Sequence, residues 1–186
     1  MKLTSSVASF LVLMAASARL CAVPEPLVID PAQSRVEIVV KATVDSFTGK
    51  LEAYKAAVAV EGGHIATASF RFNCSAIRTG KEGRDEAMND WLETTKYPEG
   101  VFTLASFEPA AEGHFKACGI LMLHGVSHEI VFPVSVIMDR KVYAIDGEAP
   151  LDTRDFGLPV IRKFGLLKVD PLVKVRFHLQ GAVKAP

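Results

Sequence analysis

Apolar residues recur at every second position through most of the chain, and turn-forming residues interrupt the alternation. Val36, Ile38 and Val40 alternate with Arg35, Glu37, Val39 and Lys41 after a bend at Asp30-Pro31. Phe47, Gly49 and Leu51 alternate with Thr48, Lys50 and Glu52, and Ala68, Phe70, Phe72 and Cys74 with Thr67, Ser69, Arg71 and Asn73. A period of two puts each set on one face of a strand. The pattern is strongest in Gly119–Met138, which reads as a β-hairpin: Leu121 and Leu123 share a parity before the turn, and Ile130, Phe132, Val134, Val136 and Met138 share one after it. Gly125 can supply the positive φ a tight turn requires, with Ser127, His124 and His128 keeping the turn polar. Pro133 lacks an amide donor and is expected at an edge or a bulge. Further strands are expected at Ala56–Val60, Val101–Phe107, His114–Leu123, Val142–Leu151 and Leu172–Gly181.

The period changes once. In Lys81–Lys96, Met88, Trp91 and Leu92 fall at helical spacing among good helix formers, which predicts one helix over about 82–95, stopped by Tyr97-Pro98. About eight or nine strands and one main helix make a mainly β, single-domain antiparallel barrel over 23–186, because closure removes the exposed edges of a large sheet. The lumen side is then expected to carry Val36, Ile38, Phe47, Leu51, Phe70, Phe72, Phe102, Phe115, Leu121, Phe132, Val134 and Phe177, with Trp91 from the helix. Small residues share that parity: Gly49, Ala53, Ala68, Ala117, Gly119 and Ala149. Two readings stay open. Either the small residues leave room for a guest, or they accommodate the phenylalanines in a filled core.

The first 22 residues break with this picture. Lys2, the apolar run Val7–Ala16 and the small residues that follow have the layout of a secretory signal, with cleavage after Ala18 or Ala22. Arg19 and Leu20 before Cys21 disfavour lipoprotein processing. Cleavage after Ala22 leaves 19 basic and 21 acidic side chains, a formal charge of −2, which argues against a nucleic-acid partner. No later apolar run reaches the length of a bilayer span, so a soluble periplasmic or secreted protein is expected. Cys74 and Cys118 point to opposite faces on strand parity and read as two separate thiols.

Candidate chemistry is sparse. His124 and His128 flank a turn with no third ligand placed nearby, so no metal is assigned. Ser127-His128 with Asp155 lacks the sharp turn that exposes a nucleophile, and no enzyme activity is expected. His64, His114 and His178 read as ordinary exposed positions. Arg84-Asp85 and Arg154-Asp155 either hold the polar end of a guest at the mouth or cap loops, and capping is the preferred reading. Met88 and Trp91 either seal the helix against the barrel or form a lid. Val39, Ile120 and Val131, read as exposed, hint at a homodimer surface.

Four pieces of the chain together resemble the YceI-like family of exported lipid-binding proteins: IDPAQSRVEIVVK followed by FTGKL (Ile29–Leu51), IRTGKEGRDEAMNDWLETTKYPEGVFTL (Ile77–Leu104), GILMLHGVSHEIVFPVSV (Gly119–Val136) and DTRDFGL (Asp152–Leu158). The chain departs from the pattern at Ala87-Met88, where many members carry histidine and leucine, and at Lys41-Ala42, where histidine is common. The resemblance implies a lipocalin-like barrel whose apolar tube holds a long isoprenoid chain, such as the tail of a polyprenyl quinone. It implies no required cofactor and no reaction.

Overall fold

The computed structural model describes residues 23–43, 45–111, 113–163 and 167–183. Its strands are β1 (Glu25–Ile29), β2 (Arg35–Val40), β3 (Phe47–Leu51), β4 (Tyr54–Glu61), β5 (His64–Asn73), β6 (Ile77–Arg78), β7 (Glu99–Ala111), β8 (His114–Leu123), β9 (Val126–Asp139), β10 (Val142–Asp152), β11 (Arg162–Lys163), β12 (Leu167–Lys168) and β13 (Leu172–Val183). Helix α1 spans Glu82–Trp91, and 3₁₀ turns occupy Cys74–Ala76 and Thr153–Phe156.

Several short strands are pieces of one stave. β13 pairs with β1 through Gly181–Val183 and with β2 through Lys174–His178, so β1 and β2 lie end to end along it. β3 and β4 continue each other against β2 and β1, and β6 continues β5 against β3. Counting staves, the sheet closes as an eight-stranded antiparallel barrel, with the β1–β13 pairing as the seam that joins the first strand to the last. Closure gives every stave two neighbours, so the backbone along the wall is paired except where the β9–β10 ladder stops.

The two ends of the barrel differ. Tight turns at Gly62-Gly63 and Arg140-Lys141, all four residues at positive φ, close one end, where Ala111 of β7 also pairs with His114 of β8. There Leu27, Val60 and Tyr143 are buried and fill the bore with their own side chains. The other end is covered by α1, the Thr153–Phe156 turn and the segment after it, in which Phe156 and Leu158 are buried.

Three expectations change here. The helix ends at Trp91 rather than near residue 95, because the chain turns at Leu92 and reaches positive φ at Glu93. Cys74 leaves the β5 strand and sits in a 3₁₀ turn capped by the Asn73 side chain, whose oxygen accepts from the Ser75 amide. Ala53 is exposed in the bend between β3 and β4, so the inward place is taken by Ala56. Pro133 needs no ladder partner on the β10 side: pairing of β9 with β10 runs from Val134–Gly147 to Asp139–Val142 and stops there. Pro150 lies on β10 in the same unpaired stretch, so both strands lack a donor where the ladder is absent.

Candidate functional site: an apolar lumen closed at one end

The alternation of each strand delivers one parity to the inside, and together these positions enclose a cavity of about 250 Å³. Among the described residues its wall carries no charged side chain, and its hydroxyls are confined to Ser69, Thr79 and Thr153. An apolar cavity of about 150 Å³ stays dry and takes benzene, so this one has room for a run on the order of ten carbons. Water gains nothing from entering such a wall, and a polar headgroup would lose its hydrogen bonds there. The site can therefore hold apolar chain.

Twelve of the thirteen lumen positions expected from sequence line this cavity: Val36, Ile38, Phe47, Leu51, Phe70, Phe72, Trp91, Phe102, Leu121, Phe132, Val134 and Phe177. Phe115 does not. Its ring stacks on Phe107 with centroids 4.6 Å apart, and Phe107, which sequence reasoning did not single out, takes the lining place. Leu158 was also missed, because it comes from a loop segment that has no period to betray an inward face, while Leu92, already noted at helical spacing, lines the cavity beside Trp91.

The covered end is held by polar contacts that tie separate segments together. The Trp91 indole donates to the Pro159 carbonyl at 2.8 Å, and Met88, Trp91 and Leu92 turn the apolar side of the helix end onto the cavity. The Asp85 carboxylate accepts from the Thr79 amide at 2.9 Å and from its hydroxyl at 2.6 Å. These bonds, the hydroxyl's foremost, hold the Asp85 carboxyl below its ordinary range, with Arg78 and Arg84 adding to the effect. Arg84 lies over the Phe47 ring, 4.2 Å from its centroid. Arg154 forks onto Asp152, and Asp155 faces His128 at 3.5 Å. Asp85 thus anchors the segment leading into α1, and Asp152 caps the Thr153–Phe156 turn by accepting from the Arg154 amide at 3.0 Å.

Two histidines do more than sequence suggested. His124, at positive φ in the hairpin turn, is largely buried: Nδ1 faces the Phe156 carbonyl at 3.1 Å, Nε2 faces Glu93 Oε2 at 2.8 Å, and the ring packs on Tyr97. Both nitrogens meet acceptors, so only the doubly protonated ring donates to both. This side chain joins three segments at the covered end instead of keeping the turn wet. His178 sits against Asp146 at 2.7 Å with a fifth of its side chain exposed, so it is not an ordinary surface residue. Adjacent in β9, Ser127 and His128 point to opposite faces and form no nucleophile–base pair. Among the described residues no group of three or more His, Cys, Asp or Glu side chains is arranged to hold a metal.

Cys74 and Cys118 are both free, Cys74 buried and Cys118 half-buried. Burial pushes the Cys74 thiol up to about 11. On the outer wall Ile120 and Val131 are 41% and 44% exposed, whereas Val39 is half-buried and drops out of the suggested dimer surface.

An eight-stranded antiparallel barrel with one plugged end and one covered end is lipocalin-like in architecture. Residues 27–181 match the YceI-like domain, and the chain belongs to that family. No curated protein matches it. Among solved structures it is similar to BcnA from Burkholderia cenocepacia, with 21% identity over 82% of this chain and 99% of the other and a TM-score of 0.74. It is also similar to a polyisoprenoid-binding domain from Saccharophagus degradans implicated in plant cell wall breakdown, with 18% identity, 87% and 99% coverage and a TM-score of 0.66. A Campylobacter jejuni YCEI protein shares 16% identity over 76% of this chain and 88% of its own, again with a TM-score of 0.66. At these identities the likeness concerns the fold.

Proposed function

We propose that the protein is an exported carrier that holds the apolar chain of an isoprenoid lipid, an isoprenoid quinone or a related polyprenyl compound, inside its barrel, without catalysing a reaction. The observation that carries this reading is the cavity itself, whose wall is overwhelmingly apolar and, among the described residues, carries no charge. Each buried CH₂ contributes about 0.8 kcal/mol, so ten carbons contribute roughly 8 kcal/mol before the costs of association. A longer tail gains more only by displacing Met88 and Trp91 or trailing out past them, which places the headgroup at the helix end. Support for an isoprenoid guest comes from the family and from the Saccharophagus domain described as binding one. Export to the periplasm or beyond rests on Met1–Ala22, which lie outside the described residues.

Mass spectrometry of an organic extract of freshly purified protein tests the reading. A polyprenyl species recovered in proportion to protein supports carriage. Repeated extracts without any long-chain lipid, together with failure to take up an added one, favour a barrel that serves only as a structural or protective protein.

A further inference from the structure

Nine phenylalanines among the described residues ought to crowd a barrel of this size, yet an open lumen remains. The geometry explains how. A Cβ built on Gly147 would lie 2.3 Å from the tip of the Phe177 ring, one on Gly119 would lie 2.4 Å from the Phe102 ring and 2.5 Å from the Thr103 backbone carbonyl oxygen, and one on Gly100 would lie 2.2 Å from the Phe72 ring. Gly100 and Gly147 are the direct cross-strand partners of Phe72 and Phe177, while Gly119 pairs with Leu104, two residues along the same face from Phe102. None of the three has positive φ, so space, not backbone conformation, calls for glycine here. Each ring lies back over the bare backbone of the next strand.

Two of these seats belong to one arc. Phe102 on β7 lies 5.6 Å from Phe132 on β9, which lies 5.9 Å from Phe177 on β13, centroid to centroid. The strands between them, β8 and β10, contribute Gly119 and Gly147. The arc therefore runs along five adjacent strands instead of across the bore.

Building on the carriage reading, we propose that Gly119 and Gly147 determine specificity: by seating Phe102 and Phe177 flush with the wall they set the bore that admits a linear apolar chain. An alanine at either position forces its ring back by at least about 1 Å, to reach ordinary carbon–carbon contact, and both rings line the lumen into which they then project. That narrows a lumen of about 250 Å³ at its aromatic arc.

The test uses decylubiquinone, a quinone with a ten-carbon chain, as probe, read by quenching of Trp91, the one tryptophan of the chain, in delipidated protein. Gly119→Ala and Gly147→Ala are expected to weaken binding at least tenfold each. Trimming the matching ring restores it: Gly147→Ala/Phe177→Leu binds within about threefold of wild type, while the mismatched Gly147→Ala/Phe102→Leu stays weak. If wild type binds and both glycine variants bind equally well, the bore-setting role is overturned and carriage stands. If wild type does not bind, the carriage reading falls and takes this one with it. Alanine at 119 also meets the Thr103 carbonyl, so the folding control is the Gly147 pair: should Gly147→Ala fail to fold, Gly147→Ala/Phe177→Leu still folds and binds, since no ring is left to displace, and a matched pair that also fails to fold overturns the proposal.

Discussion

Replacing Ala149 by leucine separates a hollow barrel from a filled one by the sign of a stability change. Ala149 is 5% exposed and lines the cavity; it pairs with Val175 on β13, and on its other side β9 no longer pairs with β10. Leucine adds three carbons to the side chain. Buried in free space at about 0.8 kcal/mol each, they contribute about 2.4 kcal/mol. Freezing the leucine rotamer costs about 0.5–1 kcal/mol, which leaves a gain of about 1.5 kcal/mol. For a domain of this length that raises Tm by roughly 3–6 °C. In a close-packed core the same change strains its neighbours and costs about 1–3 kcal/mol, lowering Tm instead. The assay is reversible thermal unfolding of delipidated wild type and variant, followed by circular dichroism. A Tm lowered by 3 °C or more would falsify the hollow-lumen argument. The variant is also expected to retain less lipid through purification, because the leucine occupies volume the guest needs.

Other outcomes follow from the covered end and the two thiols. Trp91→Phe removes the bond to the Pro159 carbonyl while keeping most of the apolar contact; a loss of about 1 kcal/mol and faster exchange of a bound probe are expected, seen by denaturant titration and stopped-flow fluorescence. The Asp85 carboxyl is held low in the folded state, so its stabilising contribution is fully present above the ordinary carboxylate value of about 3.9 and is lost as pH falls through the lowered folded value. Tm of the wild type should accordingly fall more steeply below about pH 4 than that of Asp85→Asn. Equal slopes in the two proteins rule out Asp85 as an anchor of the segment before α1. Cys74, 1% exposed and with its thiol raised to about 11, holds on the order of one part in a thousand thiolate at pH 8, so iodoacetamide should label it only in denaturant. Labelling of Cys74 in the native protein at the rate of a free thiol contradicts the burial described here.

Much of the barrel is visible in the order of the residues. A side chain in a strand can point only one of two ways, so Val36, Ile38, Phe132, Val134 and Phe177 reveal their common side before any partner strand is known. Pro133 announces a break in the ladder because it has no donor, and the structure ends the β9–β10 pairing beside it. Gly125 takes the positive φ its turn needs. Phe115 shares the inward parity and still misses the cavity, because parity says which face a ring leaves from and nothing about what already lies there; Phe107 does. His124 and His178 looked like surface residues for a similar reason. Their carboxylate partners, Glu93 and Asp146, are 31 and 32 positions away.

The chain's own pattern determined the class of fold, the inward faces and the apolar character of what lies inside, since each depends on local alternation or on composition. Whether that inside is hollow was decided only by the assembled barrel. A phenylalanine fills the bore or lies along the wall according to the residue beside it on the neighbouring strand, and that neighbour is set by register. Phe177 and Gly147 are thirty positions apart in the chain and meet only once β10 and β13 are zipped together.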